Sequence, residues 1–268
     1  MTILVTGATG NTGRHVVAEL LRRGRAVRAL TRAPERAGSL LPAGAEVVVG
    51  THTEPSTLAA ALDGVTGLHI TVTSGVAETG PELVRRAVSA GVERITILWG
   101  GYVGPAETAV AESGVTWTRL EPQEFMSNAL TWAETIQAEG VVREPFDIPS
   151  AVVHEGDLGA VAAIALTEEG HASRAYNLNG PEALTTSERV AALAATLGRD
   201  ITFERISRDQ AVERFLREGV SPADADYVLG WHADPPESAR VPDGTVDRIL
   251  GRRARTFAEW VTEHKNRF

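Results

Sequence analysis

Seven residues near the start of the chain, Gly7-Ala8-Thr9-Gly10-Asn11-Thr12-Gly13, restrict what the rest can fold into more than any other feature. They follow a short β-branched run, Ile3 to Val5, and precede a helical pattern that places Val16, Val17, Leu20 and Leu21 on one face before Gly24. A strand, a glycine turn and a helix in that order open a dinucleotide-binding βαβ unit. Gly7 permits the tight turn, Gly10 lets backbone approach a pyrophosphate without a Cβ in the way, and Gly13 lets the helix pack close. The helix N-terminus then offers its N–H groups to the phosphates. Thr9, Asn11 and Thr12 join the three glycines as the predicted pyrophosphate contact.

Short apolar runs continue at Ala26 to Leu30, Glu46 to Val49, Leu68 to Val72, Arg94 to Leu98 and Thr116 to Leu120, separated by helix-period segments. Their lack of polar alternation suits strands covered on both faces, so a doubly wound α/β fold with a parallel sheet is expected. After Leu120 the rhythm loosens at Pro122, Pro145 and Pro149. The expected division is a Rossmann domain over residues 1–150 and a smaller α/β substrate lobe over 151–268, with some strands and helices returning to the main domain. A helix is expected from Asp157 to Leu166, capped by Asp157, and a strand from Arg174 to Leu178.

With no cysteine among 268 residues, disulfides, thiolate metal sites and a cysteine nucleophile are excluded. The formal charge of −9 is mixed along the chain, leaving no basic stripe for nucleic acid. Apolar runs are strand-length or broken by charge, so no membrane partner is expected. Met1 to Val5 show no basic or long apolar leader pattern, so a cytoplasmic location is expected. The seven histidines are scattered without ligand spacing, and no metal is predicted.

The second strand ends at Leu30-Thr31-Arg32, where an NAD-specific site would carry an acid for the ribose 2′-hydroxyl. Arg32, helped by Arg14 or Arg36, would pair with a 2′-phosphate instead, which favours NADP(H) while leaving NAD(H) open.

These residues resemble the NmrA-like, atypical short-chain dehydrogenase/reductase family, which includes NAD(P)H:quinone reductases. The likeness rests on Ile3-Leu4-Val5-Thr6 with its glycine turn, on Val27 to Arg32, and on Thr118-Arg119-Leu120-Glu121-Pro122 followed by Phe125-Met126-Ser127-Asn128. The ending Gly251-Arg252 and Arg255 to Trp260 adds to it. The resemblance implies a cofactor across the C-terminal edge of the sheet, with Thr73, Ser74 and Gly75 near ribose and nicotinamide. Thr51 and His52 stand where relatives often carry Gly-Asp near adenine. Trp99, Gly100 and Tyr102 would floor a substrate cleft, with Phe125, Met126, Asn128 and Trp132 as further lining.

Ordinary short-chain dehydrogenases pair a tyrosine with a lysine four residues later, whose ammonium lowers the phenol's pKa. Here Tyr102, Tyr176 and Tyr227 are followed at that spacing by Ala106, Gly180 and Trp231, and the one lysine is Lys265. A quinone suits such a site, because its hydride adduct is a stabilised phenolate that water can protonate. The expected activity is therefore NADPH-dependent reduction of a quinone or polycyclic aromatic carbonyl, in natural-product tailoring or linked to monooxygenation. Tyr102 and His154 are the candidates for proton donation. A non-catalytic NAD(P) sensor of NmrA type is the alternative reading. A homodimer is the default for an enzyme of this size.

Overall fold

The structure is a computed structural model describing residues 1–73 and 75–268. Two units interleave along the sequence. The first comprises Met1–Pro122, Glu155–Leu178 and Arg248–Arg252; the second comprises Gln123–His154, Asn179–Asp247 and Arg253–Phe268. In chain order the elements begin β1 (Thr2–Val5), α1 (Gly13–Arg22), β2 (Ala26–Thr31), α2 (Pro34–Leu40), β3 (Glu46–Val49), α3 (Ala59–Leu62) and β4 (Gly67–Ile70). Next come α4 (Val76–Ser89), β5 (Arg94–Leu98), α5 (Pro105–Glu112), β6 (Thr116–Pro122), α6 (Ala133–Glu139), β7 (Val141–Glu144), α7 (Glu155–Thr167) and β8 (Arg174–Leu178). The remainder is α8 (Thr186–Leu197), β9 (Thr202–Arg205), α9 (Arg208–Arg217), α10 (Pro222–Ala233), α11 (Glu237–Arg240), α12 (Thr245–Leu250) and α13 (Phe257–His264).

The first unit is a Rossmann-type fold. Its seven-stranded sheet runs β3-β2-β1-β4-β5-β6-β8, and every pairing is parallel. Ile3, Leu4 and Val5 of the central strand are fully buried, as expected of a strand covered on both sides. Two close helix crossings depend on small residues. A Cβ at Gly159 of α7 would lie 2.7 Å from the backbone of His15 on α1, and one at Gly80 of α4 would lie 2.5 Å from Ala106 Cβ on α5. On β2, Arg28 donates to the carbonyls of Ala61 (3.2 Å) and Asp63 (2.5 Å), closing the negative C-terminal end of α3.

The second unit packs around Met126, Trp132, Val142, Leu193, Phe257 and Trp260, beside a two-stranded parallel sheet of β7 and β9. Phe257 and Trp260 stack with centroids 5.7 Å apart. Thr185 with Glu188 and Thr256 with Glu259 close capping boxes on α8 and α13, satisfying N–H groups that have no partner inside the helix.

Several expectations need correction. The first continuous stretch of the Rossmann unit ends at Pro122, not near 150, and α7 with β8 supply the returning segment. Strand β4 stops at Ile70 because Thr71 turns its backbone and hydroxyl toward Thr6. Asp157 does not cap its helix: α7 starts at Glu155, and the buried Asp157 carboxylate accepts from Arg252 at 2.7 Å. Residues 126–144 hold a 3-10 helix, α6 and β7, and the proline-rich loop at 234–242 includes the short α11. Among the described residues no helix is long and apolar enough to cross a membrane, and no group of three or more acidic or histidine side chains is placed to hold a metal ion.

Candidate functional site

Sheet growth reverses between β1 and β4, with β2 and β3 on one side and β5, β6 and β8 on the other. Crevices for ligands open beyond the carboxyl ends of strands at such a switch point. The glycine turn leaves β1 there. Beneath it Thr6 and Thr71 tie the two strand ends together: the Thr71 N–H donates to Thr6 Oγ1 at 2.9 Å, and the Thr71 hydroxyl donates to the Thr6 carbonyl at 2.9 Å. Gly7 adopts φ +57°, and a Cβ on it would lie 3.0 Å from Thr71 Cβ.

The rest of the turn folds over the Gly7 carbonyl, which accepts from the Gly10 N–H at 2.9 Å. A Cβ at Gly10 would stand 3.0 Å from that oxygen and one at Gly13 only 2.2 Å, so the fold of the turn excludes a side chain at Gly13. Thr12 heads α1 without a side-chain cap, and Gly10 and Asn11 are exposed while Thr12 and Gly13 are buried. A half-buried Thr9 completes the segment. An uncapped helix end beneath a loop without side-chain bulk is a cradle whose donors and positive dipole end fit a pyrophosphate.

Three loops meet beside the turn. Arg32 is exposed just beyond β2 and makes no hydrogen bond to a described residue, while Arg14 donates to Asn11 Oδ1 at 3.2 Å. His52, after β3, is buried; its Nε2 lies 2.5 Å from Thr73 Oγ1 after β4, and its Nδ1 lies 3.4 Å from Thr79 Oγ1 on α4. Burial, reinforced by the positive charge of Arg32, pulls the His52 imidazole below its ordinary pKa. His52 is therefore neutral near pH 7 and acts as a strut between loops. Thr51 engages Thr53 at 2.8 Å, and Thr53 in turn approaches the place where a Cβ on Gly75 would sit, 2.9 Å away. Arg32, Thr51, His52, Thr73 and Gly75 are thus neighbours; Ser74 lies outside the described residues.

After β5, Trp99 is half-buried, with its N–H held by the Leu120 carbonyl at 2.8 Å and its indole Nε1 without a partner among the described residues. A Cβ on Gly100 would meet Val72 Cγ1 at 2.9 Å, so the backbone comes close to the loop after β4. Tyr102 is 62% exposed, its ring lying over Gly104.

The second unit encloses a cavity of about 820 Å³. Asn128 and Trp132 line it, together with Phe146, Phe215, Trp231 and His232, whereas Trp99, Gly100 and Tyr102 are not among its lining residues. Phe125 and Met126 do not. Met126 is 1% exposed and packs in the apolar core of this unit, and Phe125 is half-buried in a backbone bridge to Val153. His154 is also buried, with Nε2 3.3 Å from Glu263 Oε2, so its ring serves packing and pairing within the second unit. Among the lining residues that escaped the sequence reading are Glu124 and Arg189, both buried and joined at 2.8 Å. Arg189 had a visible signal, since it falls on the face of α8 that carries Thr186, Val190 and Leu193, where a charge is out of place. Glu124 had none.

Comparison with known proteins agrees with this geometry. The NmrA-like family matches residues 1–112. The (4-alkanoyl-5-oxo-2,5-dihydrofuran-3-yl)methyl phosphate reductase of Streptomyces griseus is 36% identical over 99% of both chains. The NAD(P)H azoreductase of Xenophilus azovorans is 34% identical, also over 99% of both. The solved structure of the NADPH-dependent quinone oxidoreductase QOR2 of Escherichia coli, complexed with NADPH, matches at a TM-score of 0.82 and 26% identity, covering 98% of this chain and 100% of that one. Two relatives above 30% identity along almost their whole length, together with the NmrA-like match over residues 1–112, establish that the chain belongs to the NmrA-like family.

Proposed function

We propose that this protein is an NADP(H)-dependent reductase whose substrate is a quinone or polycyclic aromatic carbonyl, acting in natural-product tailoring. The observation that carries the reading is the uncapped N-terminus of α1 beneath a turn that excludes a side chain at Gly13 and crowds one at Gly10, at the switch point of a parallel sheet. Relatives named as reductases support the redox assignment.

In this reading the N–H groups after Gly10, at the N-terminus of α1, hold the pyrophosphate, and Arg32 pairs with the 2′-phosphate that distinguishes NADP(H). Thr51, His52, Thr73 and Gly75 shape the neighbouring edge, with the His52 and Thr73 pair fixing the loop after β4. When bound, the reduced nicotinamide supplies a hydride. The chain's own contribution to proton transfer is small. Tyr176 is engaged by His171 Nδ1 at 2.9 Å, Tyr102 and Tyr227 are exposed, and neither is spaced for a lysine. A conjugated acceptor is therefore preferred over an isolated ketone, because its reduced form is a weak base that water can protonate.

The test is NADPH consumption by the purified protein with a panel of quinones and polycyclic aromatic ketones, under air and under nitrogen, with cofactor binding measured in parallel. Turnover with quinones supports the reading, and extra oxygen uptake indicates coupling to oxygenation. Tight cofactor binding without turnover on any member replaces it with a sensor.

A further inference from the structure

The cavity in the second unit has an anchor that packing alone does not explain. Arg189 reaches it from the buried face of α8 with a side chain 7% exposed, and Glu124, 5% exposed, accepts from its Nη1 at 2.8 Å. A guanidinium has five N–H donors. Here one goes to Glu124, while Nε is buried with no partner among the described residues. The group also lies over the ring of Trp132, 5.5 Å from its centroid, so it is stacked as well as paired. A buried ion pair that served packing alone would spend its remaining donors on protein acceptors, because each unmet donor costs stability. Arg189 instead keeps donor capacity in a chamber walled by Trp132, Phe146, Phe215 and Trp231.

Charge decides what that capacity suits. Four arginines and five glutamates line the cavity. Arg189 is neutralised by Glu124, Arg214 by Glu144 at 2.9 Å, and Arg143 by Glu139 at 2.7 Å and Glu204 at 2.9 Å. An anionic ligand would meet no surplus positive charge. An uncharged acceptor would receive a hydrogen bond from a cation whose countercharge is already in place, while its apolar body covers the aromatic walls.

We infer that Arg189, held by Glu124, is the specificity-determining donor of a ligand site in this cavity, and that the ligand is an uncharged aromatic or apolar molecule presenting a carbonyl oxygen. The ligand's identification as the reductase substrate rests on the function proposed above; its binding does not.

Calorimetric titration of the cofactor-free protein with three probes tests this: 2-acetylnaphthalene, 2-naphthoate and naphthalene. The ketone is expected to bind at least tenfold more tightly than either the carboxylate or the hydrocarbon. In the double variant Glu124→Gln/Arg189→Met, which removes the donor without stranding a charge, the ketone's advantage over naphthalene disappears while NADP(H) affinity is retained. If that variant fails to fold, Arg189→Lys decides, since it keeps the charge but loses the planar fork and should reduce the same advantage severalfold. Tighter binding of 2-naphthoate, an undiminished preference for the ketone in the variants, or no binding of the ketone overturns the inference. Ketone binding by a protein that turns over neither quinones nor polycyclic aromatic ketones refutes the reductase reading and leaves this one standing.

Discussion

The first unit prepares its binding edge from backbone, whereas the second prepares its cavity from side chains. At the glycine turn the working parts are N–H groups and the absence of Cβ atoms, and the nearby side chains mainly brace loops, as Thr6 does with Thr71 and His52 with Thr73. In the cavity the working part is a charged pair taken out of water and enclosed by aromatic rings. A backbone site demands particular residues at fixed spacing, because only glycine satisfies the geometry. A side-chain site can be assembled from any elements that the fold brings together. The two also differ in how they fail: crowding breaks the first, and an orphaned charge breaks the second.

The largest effect is expected in the second unit. Arg189→Met alone leaves the Glu124 carboxylate buried without its partner and should cost about 3–5 kcal/mol, read as a lower urea midpoint. Adding Glu124→Gln should recover most of that loss. A single-variant loss below about 1 kcal/mol would mean that the pair is solvated, and the contrast between the units would fail. Burial alone would raise the Glu124 carboxyl, but the charges of Arg189 and His232 outweigh it and hold the pKa below its ordinary value.

Next in size is an acid effect in the first unit. His69 on β4 is fully buried, with Nδ1 2.8 Å from Thr96 Oγ1, and burial pushes its imidazole down to about 4. An unfolded histidine titrates near 6.5, so between about pH 6.5 and pH 4 the unfolded chain takes up a proton that the folded chain refuses. Stability should fall as pH drops through that window, by about 3 kcal/mol in total, and His69 should contribute no pH dependence above it. Urea unfolding at pH 7, 5.5 and 4 should show a shallower decline for His69→Gln than for the unmodified protein; parallel declines would refute the assignment.

Gly13→Ala sharpens the backbone side of the comparison. Its Cβ would meet the Gly7 carbonyl at 2.2 Å, so the turn must shift, at a cost of about 1–3 kcal/mol in folding and a loss of at least about tenfold in NADPH affinity. Retained affinity would show that the cofactor does not depend on this turn. The smallest effect is expected from the exposed Arg32. Arg32→Asp should weaken NADPH by about tenfold, roughly 1.4 kcal/mol, and shift preference toward NADH without changing the unfolding midpoint. Cofactor titrations of both forms check it.

Legibility in the sequence follows the same division. The parallel sheet was readable because buried strands lack polar alternation, and the glycine turn because its spacing has few other uses. Strand β4 was read too long because the exchange between Thr71 and Thr6 leaves no trace in hydrophobic periodicity. The segment after Pro122 was unreadable for another reason: Met126, Ala129 and Trp132 recur every third residue, a 3-10 period that matches neither the α-helix nor the strand. Of the cavity, the sequence offers Asn128 and Trp132 only as lining of a cleft floored by Trp99, which does not line this cavity, while the pairing of Glu124 with Arg189 spans 65 positions and is visible only after folding.

The interleaving of the first unit bears on how the protein is made. Its sheet gains its outer strand only at Arg174–Leu178, its α1 helix packs against a segment that begins at Glu155, and Asp157 waits for Arg252. At a synthesis rate of roughly 5–20 residues per second, the glycine turn leaves the ribosome about ten seconds or more before the last of these partners exists. A nascent chain stopped at Pro122 would hold six of the seven strands with the α7 side of α1 bare, an apolar surface that chaperones would be expected to cover until the polypeptide returns to complete it.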